Sequence, residues 1–424
     1  MGIWDRIKEK TGSRKDYFLS LDVGTEFVKV LVFRVDKKIE KGVVVGVGQA
    51  RQKLGNMNYG AISDIGQVIL SCERAIEQAE KMAGVGRVRK AIMGIAGEFV
   101  KGTTTTIHYE RARPEIRIDL PELKNIIQKV QYRAFDRIRK QLAWEAGMKE
   151  IDVKLINASI VGVKIDGYQI SNPIGFQGRE VSVSIFNAYA PMMHLGALQS
   201  VADELELDLL SIAAEPFAVV QAMGLENNSN FGAIFVDIGG GTTDVALVRN
   251  GGLEGTVMFA LGGRVFTKRI STELEVSFDE AERLKMGYSL GKLSPKMTER
   301  ISKILEEDCA VWLSGFEVAL ESFSESKTDL LPSRILLCGG GAGLPEIYKS
   351  LSGQSWVNNF PFSRIPTISF IQPRDVVNII DETKLLRNPQ NITPMGLASL
   401  ALNFSSEKDI LPDVLKKTVR LMQN

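Results

Sequence analysis

Two short stretches carry residues whose types and spacing suit them to handle phosphate. Asp22-Val23-Gly24-Thr25 and Asp237-Ile238-Gly239-Gly240-Gly241-Thr242-Thr243-Asp244 each set a carboxylate just before a turn of glycine and threonine. Glycine lets backbone N–H groups approach a phosphate with no Cβ in the way. The hydroxyls of Thr25, Thr242 and Thr243 add donors. Asp22 and Asp237 can hold a hydrated Mg²⁺, an ion that keeps several waters and accepts few protein ligands. Two such turns facing one another would grip a nucleotide's phosphates from both sides.

Each turn needs a strand on either side, and the flanking sequence supplies them. Residues 17–23 and 27–35 are apolar runs around the first turn, and 231–237 and 245–248 flank the second. The copies lie half the chain apart, which points to duplication of a whole domain rather than a solenoid with a period of ~20–50 residues. A third glycine-rich turn, Gly339-Gly340-Gly341-Ala342-Gly343, follows an apolar run at 334–337. Taken singly, each turn is an ordinary hairpin or strand–loop–helix signal. No Gly-x4-Gly-Lys-Ser/Thr run exists, which excludes a P-loop, and neither Gly84-Val85-Gly86 nor Gly339-Gly340-Gly341 has dinucleotide-binding spacing.

Around these turns, apolar spacing predicts a helix near 62–83, a long charged helix over 121–146 and helices through much of 262–323. Alternating strands and helices make the chain an α/β protein with inserted α+β pieces. The boundaries expected are a basic amphipathic segment at 1–16, a first lobe at 17–87 and 179–230, and an inserted α+β block at 88–178. The second lobe follows at 231–263 and 333–403 around a helical subdomain at 264–332, and a short linker with an amphipathic helix occupies 404–424.

Composition narrows the function classes. Lys and Arg number 52 against 51 Asp and Glu, so no globally basic surface is available for nucleic acid. Cys72, Cys309 and Cys338 are far apart, which supports neither a disulfide framework nor a thiolate zinc site and suits a reducing cytoplasm. With His108 and His194 as the two histidines, imidazole-based metal or triad chemistry has little to work with. No window reaches the ~20 apolar residues of a membrane span.

Taken in order, the motifs resemble the nucleotide-site motifs of the actin, sugar-kinase and heat-shock-chaperone ATPase superfamily. The phosphate loops are Asp22–Thr25 and Asp237–Asp244, and the connecting helices resemble 214–222 and 393–398. The adenosine motif resembles 335–345. Within the superfamily the chain resembles the FtsA family through Ile92-Met93-Gly94-Ile95-Ala96-Gly97, Asn172-Pro173-Ile174-Gly175-Phe176-Gln177-Gly178-Arg179, and Gly262-Gly263 followed by 279–285. The PilM family shares the general plan.

The resemblance implies an actin-like two-lobed fold of duplicated ribonuclease-H-like domains, with an inserted subdomain of the 1C (SHS2-like) type, holding ATP and Mg²⁺. Asp22 and Asp237 would order the metal's waters. Gly24, Thr25, Lys29, Gly239, Gly240, Gly241, Thr242, Thr243, Gly262 and Gly263 would surround the phosphates, and Glu215 or Asp244 would orient the attacking water. Glu282 and Lys285, one helical turn apart, could reach the ribose or form a solvated ion pair. Gly339, Gly340, Gly341 and Leu344 would pack near adenine and sugar.

It further implies a weak ATPase with a scaffold role in cell division, peripheral on the inner face of the cytoplasmic membrane. Such a protein would self-associate into filaments and receive the carboxy-terminal peptide of FtsZ on its 264–332 subdomain. Both ends of the chain carry basic amphipathic sequence. Val414, Leu415, Thr418, Leu421 and Met422 form a stripe beside Lys416, Lys417 and Arg420, and Met1, Ile3, Trp4 and Ile7 stand with Arg6, Lys8 and Lys10. Residues 410–424 or 1–13 are thus the expected contacts with an anionic membrane surface. The alternatives are a PilM-like pilus or secretion platform protein and a small-molecule kinase of the same superfamily.

Overall fold

The computed structural model describes residues 16–97, 100–145, 147, 149, 151–225, 230–323 and 330–402. The apolar run before Gly24 forms the strand Tyr17–Val23, which returns antiparallel as Phe27–Asp36, and Lys41–Arg51 extends the meander. On its other edge Tyr17–Val23 takes a parallel neighbour, Lys90–Ile95, and beyond it Asp208–Ala214. A short parallel strand, Ile379–Asp381, closes this sheet beside Lys41–Arg51. Tyr17–Val23 is buried over most of its length, as the centre of a sheet covered on both faces requires.

The second half repeats five of these six strands. Ala233–Ile238 and Thr243–Arg249 form the hairpin and Gly252–Phe259 extends it, while Arg334–Cys338 and Thr367–Phe370 lie parallel on the far edge. The two lobes therefore share five strands in the same order and directions. The duplication read from two turns extends to two whole sheets. Helices Gly263–Leu274, Phe278–Ser289 and Pro295–Ser322 cover the second lobe, whose core includes Ile234, Val245, Phe266, Trp312 and Phe316.

The insertion consists of Lys101–Glu110, the helix Leu120–Glu145, Val153–Ile165 and Glu180–Pro191. Strand pairing divides the chain differently from the 88–178 block expected from sequence. Lys90–Ile95 belongs to the first-lobe sheet, and Glu180–Pro191 lies between the two long strands of the insertion, antiparallel to both. A short buried apolar run such as Lys90–Ile95 suits any central strand, so only its register against Leu19, Ser20 and Leu21 assigns it. The insertion's sheet also joins the second lobe, through Gly255 opposite Thr103 and Thr256 opposite Gly102.

Helix Glu215–Ala222 is fixed from two sides. Asn157 Oδ1 accepts from the backbone N–H of Ala214 at 2.7 Å, and Phe186 stacks on Phe217 with centroids 5.7 Å apart. Both partners come from the insertion. The return helix Ile392–Leu402 is buried along its length, and its Pro394 carbonyl accepts from Ser20 Oγ at 2.9 Å. The amphipathic segments expected at 1–16 and 404–424 lie outside the described residues, apart from Asp16.

Candidate functional site

The two glycine turns meet face to face. Each is closed by its own backbone bond, Gly24 N–H to Phe27 O at 3.1 Å and Gly239 N–H to Thr242 O at 2.8 Å. The approach is close enough that a Cβ on Gly240 would sit 2.7 Å from Glu26 Cβ, and one on Gly241 would sit 2.8 Å from Thr25 Oγ1. Larger residues there would push the lobes apart. Thr25 Oγ1 accepts from Gly60 N–H at 3.3 Å, which leaves its own O–H to donate.

Below the turns, strand register and one helix start bring four carboxyl groups together. Asp22 lies opposite Lys29, whose Nζ donates to Asp22 Oδ2 at 3.2 Å. Asp237 lies opposite Asp244 across the second hairpin and beside Cys338 in the parallel strand. Thr393 Oγ1 donates to Asp237 Oδ2 at 2.6 Å. Glu215 enters as the first residue of its helix. Gly94 makes room for it, since a Cβ there would lie 2.7 Å from Glu215 Oε1.

The electrostatics follow from this crowding. Burial, then the charges of Asp22, Asp244 and Asp237, hold the Glu215 carboxyl well above the usual range, and Lys29 only partly offsets them. Burial also raises Asp237, against the hydrogen bond from Thr393 and the charge of Lys29. Burial and Asp237 push Asp244 up to about 8. For Lys29, burial disfavours the ammonium, but Asp22, Asp237 and Glu215 outweigh it and raise its pKa. Four carboxyl groups around one ammonium lack positive charge, and half-buried Glu215, Asp237 and Asp244 remain reachable from solvent. A divalent cation held through its own waters would supply what is missing. The glycine turns, facing one another at close approach, suit the phosphates that such a cation accompanies. The residues present therefore fit Mg²⁺ and a nucleotide.

Several expected phosphate and ribose contacts take other roles. Thr243 is fully buried, its hydroxyl donating to Leu261 O at 2.6 Å and accepting from Trp312 Nε1 at 2.9 Å. Strand alternation turns it away from the face that Thr242 occupies, so it anchors the hairpin to the helical subdomain. Gly262 packs against the second turn, and the Gly263 N–H bonds Gly239 O at 2.9 Å, so this amide holds the loop and is not free for a phosphate. Glu282 and Lys285 pair at 2.8 Å, largely buried rather than solvated, and both reach Thr267 Oγ1. Lys285 also donates to Gly263 O at 2.8 Å. Leu344 lies in the second-lobe core, whereas Gly340 is open to solvent. Gly339 has φ +87°, and a Cβ there would meet Asp237 Oδ1 at 2.2 Å, so this turn is confined to glycine by the carboxylate beside it.

Sequence reasoning missed the groups that tie the lobes together. Glu26, immediately after the first turn, accepts from Arg51 Nε at 2.6 Å and from Arg264 Nε at 2.7 Å, and Arg51 Nη1 reaches Asp279 at 2.9 Å. Arg264 and Asp279 belong to the second lobe, so the network crosses the cleft mouth. Glu26 and Arg264 are largely buried, which protects their pair from screening. Removing Glu26 leaves two arginines without their shared anion. The variant Glu26→Ala is expected to speed release of a fluorescent ATP analogue about 3- to 10-fold in stopped flow. An unchanged release rate would remove the clamp from consideration. No single-sequence signal marks this network, because its members lie in separate elements.

Comparison with known proteins now bears on the whole chain. A family model described as cell division protein FtsA matches residues 234–395. Cell division protein FtsA of Bacillus subtilis (strain 168) is 25% identical over 411 residues, covering 92% of this chain and 84% of its own length. The chain is similar to FtsA proteins over most of its length. The FtsA of Streptococcus pneumoniae serotype 2 (strain D39 / NCTC 7466) is 27% identical over 349 residues, covering 78% of this FtsA-like chain and 72% of its own. A solved structure of a PilM–PilN type IV pilus biogenesis complex superposes with a TM-score of 0.64 at 16% identity, covering 91% of this chain and 98% of that one. The FtsA-like chain thus has the actin-like ATPase fold, with matching sheets in its two lobes.

Proposed function

We propose that this chain is an FtsA-type scaffold that binds Mg-ATP between its lobes, assembles into filaments and links the FtsZ division ring to the cytoplasmic membrane. The carrying observation is the convergence of Asp22, Asp237, Asp244 and Glu215 beneath two facing glycine turns, in a chain whose relatives are named cell division proteins. When bound, Mg²⁺ neutralises charge on the phosphates. Asp22 and Asp237 would hold its waters, while the amides of the two turns and the hydroxyls of Thr25 and Thr242 would orient the phosphate chain.

Glu215, poised among other acids, would accept a hydrogen bond from the attacking water and fix its direction. Phosphoryl transfer depends mostly on such positioning and on charge stabilisation, so no strong base is needed. Self-association by a head-to-tail contact produces open filaments. Among the described residues no helix is long and apolar enough to cross a membrane, and the reading places membrane contact on residues 410–424 or 1–13.

The decisive experiment titrates the full chain with a labelled FtsZ carboxy-terminal peptide and, separately, with an inner-membrane pilus-protein peptide. Micromolar binding of the first alone is expected. Binding of the second alone would replace this reading with a PilM-like one. ATP hydrolysis independent of any acceptor is also expected, and hydrolysis that requires a small-molecule acceptor would point to a kinase.

A further inference from the structure

The long helix of the insertion has an outer face unlike any other described helix in the chain. Its inner face, including Leu123, Ile126, Ile127, Val130, Ile138 and Leu142, is buried against the insertion's sheet, so packing fixes which side looks outward. The outward side carries Lys129, Arg133, Arg137, Arg139 and Lys140, all exposed, with the Lys129 ammonium over the Tyr109 ring at 4.7 Å. Lys129, Arg133 and Arg137 follow at i, i+4 and i+8, and Lys140 continues the same flank to Trp144. From Lys129 to Lys140 the cations extend along about 17 Å of helix axis at 1.5 Å per residue. Asp136, which pairs with Lys140 at 2.7 Å, is the one acid among them.

Two aromatic residues complete the face. Trp144 is 82% exposed and Tyr132 67% exposed. Burying an apolar ring is worth far more than leaving it in water, so a rigid helix that presents both outward is under-used as it stands. Trp and Tyr settle at the headgroup level of a bilayer, where one end of the ring is dry and the other wet, and Lys and Arg beside them meet anionic headgroups. The face is a single convex helix, with no groove to clamp a peptide or a nucleic-acid strand. The chain's overall charge balance also gives no extended basic field for nucleic acid.

We propose that the outer face of helix Leu120–Glu145 docks on an anionic lipid surface, a membrane contact on the folded body separate from the chain termini. The contact would set the orientation of the insertion on the membrane. It does not depend on which terminus binds.

The test sediments the full chain with vesicles of phosphatidylcholine containing phosphatidylglycerol, and with phosphatidylcholine alone. The triple variant R133E/R139E/K140E, altered only at exposed positions, is expected to keep the parent's thermal melt and to bind the anionic vesicles roughly 10-fold or more weakly. Unchanged vesicle binding by this variant overturns the proposal. If binding instead disappears only on deleting residues 1–13 or 410–424, the terminal anchor stands and the helix face is refuted. Fluorescence gives a second, independent reading, because Trp312 and Trp356 are already buried. In a W4F background anionic vesicles are expected to blue-shift the emission, and W4F/W144F is expected to lose that shift. No shift in the W4F protein, or capture of polyglutamate or RNA without vesicle binding, also overturns it.

Discussion

Glu215→Gln is expected to lower ATP turnover by roughly 10²- to 10³-fold while Mg-ATP affinity stays within a few-fold. The substitution keeps the shape of the side chain and removes its ability to accept a proton or hold a water by charge, a contribution of about 10²–10⁴ when a positioned acid or base is lost. Affinity is spared because Glu215 lies behind the two turns, at the start of a helix held by Asn157 and Phe186. Single-turnover hydrolysis beside equilibrium binding of a non-hydrolysable analogue separates the two effects. Equal loss of both would make Glu215 a binding residue, and full turnover in the variant would leave Asp244 as the residue that orients water. The substitution Gly94→Ala should mimic the loss in part, because the added methyl would occupy the space of the Glu215 carboxyl.

The second large effect is a dependence of stability on pH and metal. Asp244 titrates near 8 in the folded chain because it is buried beside Asp237, against 3.8 for an ordinary aspartate, and Glu215 and Asp237 are raised as well. Between pH 4 and 8 the folded protein therefore binds more protons at this cluster than the unfolded chain does. Stability from this source is complete below pH 4 and is lost as pH rises through about 8. At about 1.4 kcal/mol per unit the upper bound for Asp244 is on the order of 6 kcal/mol, reduced by the water that reaches a half-buried carboxyl. The nucleotide-free protein is expected to melt several degrees lower at pH 9 than at pH 6. Asp244→Asn should flatten that slope in part and raise the melting temperature at pH 9. Mg²⁺ with ATP should stabilise most where the carboxyls are ionised. An identical slope in the Asn variant would show that this cluster does not control the profile.

The site was legible where its residues follow one another along the chain. Asp22 and Asp237 each precede a glycine turn, and the structure brings both beneath facing loops, with Lys29 and Glu215 beside them. Contributions that depend on packing between distant segments were not legible. Thr393 and Cys338 bond Asp237 from a return helix and a neighbouring strand, and Gly94 matters because Glu215 lies above it. The reading of Thr243 as a phosphate donor failed for a related reason. Composition assigns a hydroxyl, but strand alternation decides the face it occupies, and here that face meets Trp312 and Leu261.

The same division holds for the fold. By itself the sequence determined the repeated hairpins, the α/β class and the length of the long inserted helix, because each rests on a local pattern of period 2 or 3.6 or on glycine at a turn. Sheet membership was decided only by tertiary structure. Lys90–Ile95 and Glu180–Pro191 exchanged places between lobe and insertion, since an apolar strand carries no label for its partner and acquires one only from register. The Glu26–Arg264 and Arg51–Asp279 pairs likewise exist only once two lobes, encoded far apart, close on each other.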